Sequence, residues 1–259
     1  MFICIAGKNE CAINAAKILI KSKFKKKQII ILPNKSDNGF DNWQPSLKKF
    51  ARLNKFKIAS IDDLYKIKNL IFFSLEYEKI IDIDKFKSKN LFNFHFSLLP
   101  KYRGCHTNFL QIFNGEKYSG VTLHKINTGI DTGDIIDQMK FKIKLNDTAY
   151  DNYLKLMKCS VILFSKNLNK ILNFDYNIKK QKLSNGSYYS RKSVNYKKIV
   201  KFSIKKPSLK LHNKIRSLIF PPYQIPIVNG VKVRKSLYKK NKIYLIESFN
   251  NKFKKYKIC

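Results

Sequence analysis

Acidic side chains are scarce in this chain: 17 Asp and Glu stand against 53 Lys and Arg, a formal net charge of +36 over 259 residues. Glycine is sparse as well, with nine residues. Only Gly7 follows the first apolar run, so no G-x-G-x-x-G is present and a dinucleotide clamp is excluded. The five cysteines (Cys4, Cys11, Cys105, Cys159, Cys259) are odd in number, scattered and without a C-x-x-C pair. That argues against a disulfide framework and against a zinc site, and predicts reduced thiols with no metal. No apolar run approaches the roughly 18 residues of a membrane span, and the opening residues lack the basic region of a secretory signal. A soluble cytoplasmic protein is the expectation.

The charge is unevenly spread. Residues 1–150 hold 26 basic and 14 acidic side chains, whereas residues 151–259 hold 27 and 3. An AT-rich genome enriches Lys, Asn and Ile throughout a chain and accounts for much of this. A polyanionic partner (RNA, anionic lipid or a pyrophosphate-bearing substrate) is the sharper reading.

What is present is 44% hydrophobic and 14% aromatic, enough for a substantial core. Apolar runs at 2–6, 28–32, 70–74 and 91–96 read as strands, and helical patterns fall at 12–20 and near 47–53. The alternation predicts an α/β protein with a Rossmann-like, mostly parallel sheet. Further strands are expected at 120–126 and 135–143. A long helix capped by Asp147 or Thr148 follows, its apolar positions Tyr150, Leu154, Met157, Val161, Phe164, Leu168 and Leu172 recurring at helical spacing. Two domains are expected, 1–175 and 176–259. The second is small and basic, with β-like runs at 231–237 and 243–247.

The chemistry is concentrated in Asn93-Phe-His-Phe-Ser-Leu-Leu-Pro-Lys-Tyr-Arg-Gly104 and in Gly129-Ile-Asp-Thr-Gly133. On a strand Asn93 and His95 share a face, at the C-terminal end where open α/β sheets place their sites. Asp131 sits in a turn whose glycines allow close backbone approach. An amide, an imidazole and a carboxylate with no Ser or Cys nucleophile suit an acyl transfer in which the substrate brings the nucleophile. The amide and imidazole stabilise an oxyanion, and His95 or Asp131 accepts the amine's proton.

The string N-x-H-x-S-L-L-P-x-Y-x-G, with G-x-D-T-G some thirty residues later, resembles the folate-dependent formyltransferases. That resemblance implies the formyltransferase fold, N10-formyltetrahydrofolate as co-substrate, and Asn93, His95 and Asp131 in the catalytic positions. It also implies that the pterin lies against Glu76, Tyr77, Glu78, Lys79 and Ile80 and against the turn at Asp131. Ser97, Lys101 and His106 fall at positions facing the acceptor, and His124 either supports the site or touches ligand.

Within the family, three acceptors compete. Glycinamide ribonucleotide transformylases end soon after the long helix, and methionyl-tRNA formyltransferases carry a full barrel for which too few residues follow Gln224. The strings at 188–192 and 219–224 resemble sugar N-formyltransferases acting on dTDP-4-amino-4,6-dideoxyglucose. On that reading Tyr189, Arg191, Lys192 and Arg216 bind the nucleotide sugar, and Phe220 or Tyr223 stacks on the pyrimidine. The product would serve a surface polysaccharide such as an O-antigen. A homodimer covering the C-terminal strand edges is expected. The contrasting reading is a basic RNA-binding protein on the same fold, against which the intact trio argues.

Overall fold

The first apolar run, Phe2–Gly7, forms strand β1, followed by helix α1 (Asn9–Lys21) and strand β2 (Ile29–Pro33). Helix α2 (Leu47–Leu53), strand β3 (Lys57–Ile58), helix α3 (Ile61–Tyr65), strand β4 (Leu70–Leu75) and strand β5 (Asn90–His95) continue the alternation. After the short strand β6 (Arg103–Gly104) and helix α4 (Thr107–Phe113) come β7 (Tyr118–Lys125), β8 (Ile135–Lys142) and helix α5 (Ala149–Leu172). The structure, a computed structural model, describes residues 1–22, 24–249 and 252–258; Cys259 lies outside them. No helix among the described residues is long and apolar enough to cross a membrane.

Seven strands hydrogen-bond in the order β3-β2-β1-β4-β5-β7-β8. β1 is parallel to β2 and β4, β2 to β3, and β4 to β5, whereas β7 is antiparallel to β5. The expected mostly parallel sheet is present. Strand order reverses at β1, which puts a topological switch point between the C-terminal ends of β1 and β4. Period-two alternation sorts the side chains. Cys4, Ala6, Ile30, Leu32, Phe72 and Leu91 share one cluster, while on the other face Phe73 stacks on Phe92 and Phe164 packs edge-on against Phe73 and tilted against Phe94. Burying one such ring contributes roughly 2 kcal/mol, so this packing fixes the register of β5 and with it the direction of Asn93 and His95.

The described residues divide into two compact units. The first comprises Met1–Arg103, Gly120–Met139 and Met157–Ser187; the second comprises Gly104–Ser119, Lys140–Leu156 and the chain from Tyr188 onward. In the second unit β9 (Tyr188–Tyr189) precedes α6 (Tyr196–Ile199) and β10 (Lys201–Phe202), and α7 (Leu209–Ser217) precedes β11 (Ile227–Val228) and β12 (Val231–Lys232). Strands β13 (Lys235–Lys239), β14 (Lys242–Phe249) and β15 (Lys252–Ile258) form an antiparallel sheet. Ile204, Ile215, Ile219, Val228, Val233, Ile243 and Leu245 make this unit's own core.

Thr148 caps α5: its Oγ accepts from Asp151 N–H, and the Asp151 carboxylate accepts from Thr148 N–H. The buried stripe of α5 differs from the expected one. Met157, Phe164 and Leu168 are buried as expected, but Leu154 is 42% exposed, and the stripe is completed by Ala149, Asn152, Tyr153, Leu156, Ser160, Leu163, Asn167 and Ile171. Three polar residues, Asn152, Ser160 and Asn167, belong to the stripe; Asn167 donates to the Asp137 carboxylate at 2.9 Å and the Leu163 carbonyl at 2.9 Å, and Asn152 donates to the Asn108 carbonyl at 3.2 Å.

Candidate active site

Asn93 and His95 lie two residues apart on β5, and the strand ends at His95. Asp131 reaches them from the turn between β7 and β8, its own backbone in the left-handed region at φ 53°. Asp adopts that conformation more readily than its β-branched neighbours Ile130 and Thr132. The carboxylate meets nitrogens on both sides: Oδ2 lies 3.4 Å from His95 Nδ1, and Oδ1 lies 3.3 Å from Asn93 Nδ2 and 3.6 Å from His124 Nε2. The structure thus brings the expected trio together, with His124, also singled out in the sequence, beside it.

Backbone carbonyls set the tautomers. His95 Nε2 is 2.7 Å from the Tyr102 carbonyl, which can only accept, so Nε2 carries a proton and Nδ1 faces the carboxylate. His124 Nδ1 donates to the Lys125 carbonyl at 2.8 Å, which leaves Nε2 to accept from Asn93 Nδ2 at 3.1 Å. His124 therefore orients the Asn93 amide.

The turn is held by its own chain. A Cβ on Gly133 would stand 1.8 Å from the Lys125 carbonyl oxygen, and one on Gly129 would stand 2.2 Å from Thr132 Oγ1. The close approach expected at these glycines is therefore made to neighbouring protein atoms. Gln181, which nothing in its sequence context marks, donates from Nε2 to the carbonyls of Asp131 at 3.0 Å and Gly133 at 2.6 Å.

The segment expected to line the pterin follows β4. Its carboxylates are tied to neighbouring segments: Glu76, at φ 60°, pairs with Asn9 Nδ2, and the exposed Glu78 accepts from Lys35 N–H at 2.6 Å and Ser36 Oγ at 2.6 Å. Burial pulls the Glu78 carboxyl upward, but the hydrogen bonds from Ser36 and Lys35 outweigh it and hold the group below its ordinary value. Tyr77 packs edge-on against Phe72, and burial pushes its hydroxyl up to about 12. Ile80 is 80% exposed. With the acidic groups occupied internally, the segment offers main chain and the apolar Ile80 side chain, which fits a flat, hydrogen-bonding heterocycle.

The expected acceptor contacts divide into two groups. Arg191 and Lys192 are exposed, Tyr223 is 67% exposed, and Lys101 is exposed. Tyr189 is half-buried, and its carbonyl accepts from Cys105 N–H. His106 bonds the Arg191 carbonyl at 2.9 Å and the Tyr196 hydroxyl at 3.2 Å, so it anchors the loop that carries Arg191. Three residues need correction. Ser97 is fully buried and donates to the Lys101 carbonyl. Phe220 is buried edge-on against Tyr150 and Tyr153, which removes it from stacking on a base. Arg216 is 3% exposed, its guanidinium bound to Asn213 Oδ1 and to the carbonyls of Asp147 and Lys144. Burial lowers its pKa to about 10, and it pins α7 to the 144–147 segment instead of meeting an anion.

An open α/β sheet with an amide, an imidazole and a carboxylate converging at the end of β5 is an arrangement suited to group transfer in which the nucleophile comes with the substrate. Comparison with known proteins makes the class specific. Residues 47–168 match the formyl transferase family. Two solved structures are similar over nearly the whole chain. The first is WlaRD, a sugar 3N-formyltransferase crystallised with dTDP and 5-N-formyl-THF, at 48% identity, TM-score 0.89, covering 98% of this chain and 92% of that one. The second is the N-formyltransferase from Helicobacter canadensis with folinic acid and dTDP-3-aminofucose, at 43% identity, TM-score 0.87, covering 98% and 94%. A methionyl-tRNA formyltransferase from Prochlorococcus marinus (strain MIT 9312) is 31% identical over 204 residues, 70% of this chain and 61% of its own. The chain spans between 17% and 61% of the length of six curated relatives that it matches. The chain belongs to the formyltransferase family.

Proposed function

We propose that this protein transfers the formyl group of N10-formyltetrahydrofolate to the amino group of a dTDP-linked amino sugar. The observation that carries the reading is the convergence of Asn93, His95 and Asp131 within 3.4 Å of one another's polar atoms along the chain Asn93–Asp131–His95. When bound, the folate supplies an activated formyl carbon. As an amine adds there, the carbonyl oxygen gains charge, and the Asn93 N–H stabilises it while His95 Nδ1 faces the Asp131 carboxylate. Both Asn93 N–H groups are engaged at rest, by His124 and Asp131, so the charged oxygen takes the place of one of them. Asp131 would receive the proton the amine must lose, beside His95 Nδ1, and would return it to the folate nitrogen, which takes the electron pair as its bond to the formyl carbon breaks; Nε2 stays on the Tyr102 carbonyl and does not exchange.

For the acceptor, the strings at 188–192 and 219–224 favour a 4-amino sugar. Identity of 48% and 43% to two enzymes whose names or ligands specify a 3-amino sugar supports the 3-position more strongly. We therefore place dTDP-3-amino-dideoxy sugars first and dTDP-4-amino-4,6-dideoxyglucose second. Arg191 and Lys192 bind the pyrophosphate and Tyr223 meets the base. The setting is cytoplasmic synthesis of a surface polysaccharide such as an O-antigen. The chain forms a C2 dimer through its C-terminal strands, for which a solution mass of twice 30.5 kDa is the test. The acceptor is settled by incubating the protein with N10-formyltetrahydrofolate and a panel of both sugar classes. Formylation of neither class, with formylation of methionyl-tRNA instead, would overturn the assignment.

A further inference from the structure

Gln181 lies in the segment after α5, in the same unit as the catalytic turn. Two residues before it, Lys179 exchanges both main-chain hydrogen bonds with Ile135, the first residue of β8, at 2.8 Å each. That bridge sets the Gln181 side chain against the turn carrying Asp131. One nitrogen, Nε2, then donates to two carbonyls, those of Asp131 and Gly133. Carbonyls only accept, so the partners fix which end of the amide is nitrogen. The other end, Oε1, is buried with no hydrogen-bond partner among the described residues. Interiors rarely leave such an oxygen unsatisfied. Here the amide is given over to donation, to the carbonyl of the turn's left-handed residue, Asp131, and to that of Gly133 two residues on.

We propose that Gln181 is a positioning residue for formyl transfer: by tying down the Asp131 and Gly133 carbonyls it fixes the left-handed turn that aims the Asp131 carboxylate at His95 Nδ1. The inference rests on the formyltransferase reading for its kinetic consequence, and on geometry alone for its structural one. Displacement of a reacting group by about 1 Å costs up to about 100-fold in rate, so a loosened turn is read out in turnover. Substrate affinity is unaffected. Glutamate is nearly isosteric, but when ionised it turns two oxygens toward two carbonyls. When protonated it regains one donor.

Two variants and two readouts test this. The imidazole nitrogen resonances of His95, His106, His124 and His212 are recorded in the full chain at one pH, for the wild type and Gln181→Ala. His95 and His124 are expected to shift, while His106 and His212, in the other unit, keep their positions. In formyl transfer, Gln181→Ala is expected to lower kcat by about tenfold or more with both KM values within about twofold. Gln181→Glu is expected to be more impaired at about pH 8 than at about pH 6, whereas the wild type is not. Unmoved His95 resonances, a shift of all four histidines together, or unchanged kcat in either variant would overturn the proposal. If the wild type formylates no acceptor, the functional reading fails, and the histidine spectra still decide the role of Gln181.

Discussion

Gly133 and the Lys125 carbonyl are in direct apposition, so close that a Cβ on the glycine would stand 1.8 Å from the oxygen. That oxygen also receives the Nδ1 proton of His124, whose Nε2 orients the Asn93 amide. Gly133→Ala is therefore expected to act on catalysis through two intermediates, moving the carbonyl, then the imidazole, then the amide. Turnover should fall about tenfold or more, with a stability loss of about 1–3 kcal/mol from overpacking. Steady-state kinetics with thermal unfolding check it; normal kcat in a folded Gly133→Ala protein would show that the carbonyl does not govern the site.

The trio should act as a unit on one transition state. Asn93→Ala, His95→Asn and Asp131→Ala are each expected to lower kcat by about 100-fold or more, and the double variants by little beyond the worse single one. Folate KM should change less, because the segment at 76–80 offers main chain and Ile80 in place of free carboxylates. The measurement is kcat and KM for three single and two double variants. Additive effects would argue that the side chains serve separate steps.

Two arginines in the second unit should behave in opposite ways. Arg191→Ala, with Lys192→Ala, is expected to raise KM for the nucleotide sugar severalfold and leave unfolding unchanged, since both side chains are exposed. Arg216→Ala strips hydrogen bonds from Asn213 and from the Asp147 and Lys144 carbonyls in a buried place and should cost at least about 2 kcal/mol. Unfolding curves beside KM values separate the two roles.

This contrast marks where sequence reading succeeds and where it stops. The long strands are legible because an apolar run bounded by turns has few alternatives, and strand alternation puts Asn93 and His95 on one face. Their pairing with Asp131 rests on the joint resemblance of the two motifs to the folate-dependent formyltransferases, since a lone His or a glycine-flanked Asp is ordinary structure. Arg216 was not legible: in a helix rich in lysine a guanidinium reads as surface, and only the fold reveals the carbonyls that bury it. The α5 stripe was misplaced because Ser160 and Asn167 count as polar in a periodicity but are buried here. Gln181 and the orienting carbonyls of Tyr102 and Lys125 leave no trace in composition, because any residue supplies a carbonyl.

His212 supplies a pH dependence of stability. It is fully buried on α7, donating from Nε2 to the Leu145 carbonyl at 3.0 Å and accepting at Nδ1 from Ser236 Oγ at 2.8 Å, so a second proton would require the Ser236 hydroxyl to turn and accept, and would put a charge in a buried place. Burial lowers its pKa from 6.5 to about 4, against an upward pull from the Leu145 carbonyl. The unfolded chain binds this proton at a pH where the folded chain does not. The stabilisation is therefore complete above about pH 6.5 and lost as pH falls toward about 4, on the order of 3 kcal/mol in all. Denaturation midpoints at about pH 8 and about pH 5 should differ more for the wild type than for His212→Gln. Equal slopes would assign the acid sensitivity to other groups.

The most direct test of the central claim is mass-spectrometric detection of the acceptor after incubation with N10-formyltetrahydrofolate and dTDP-3-amino-dideoxy sugar, wild type beside Asp131→Ala. The account predicts a formylated sugar nucleotide with the wild type and about 100-fold less with the variant. Absence of formylated product from every dTDP-amino sugar with folded wild-type protein, or equal product from Asp131→Ala, would contradict it.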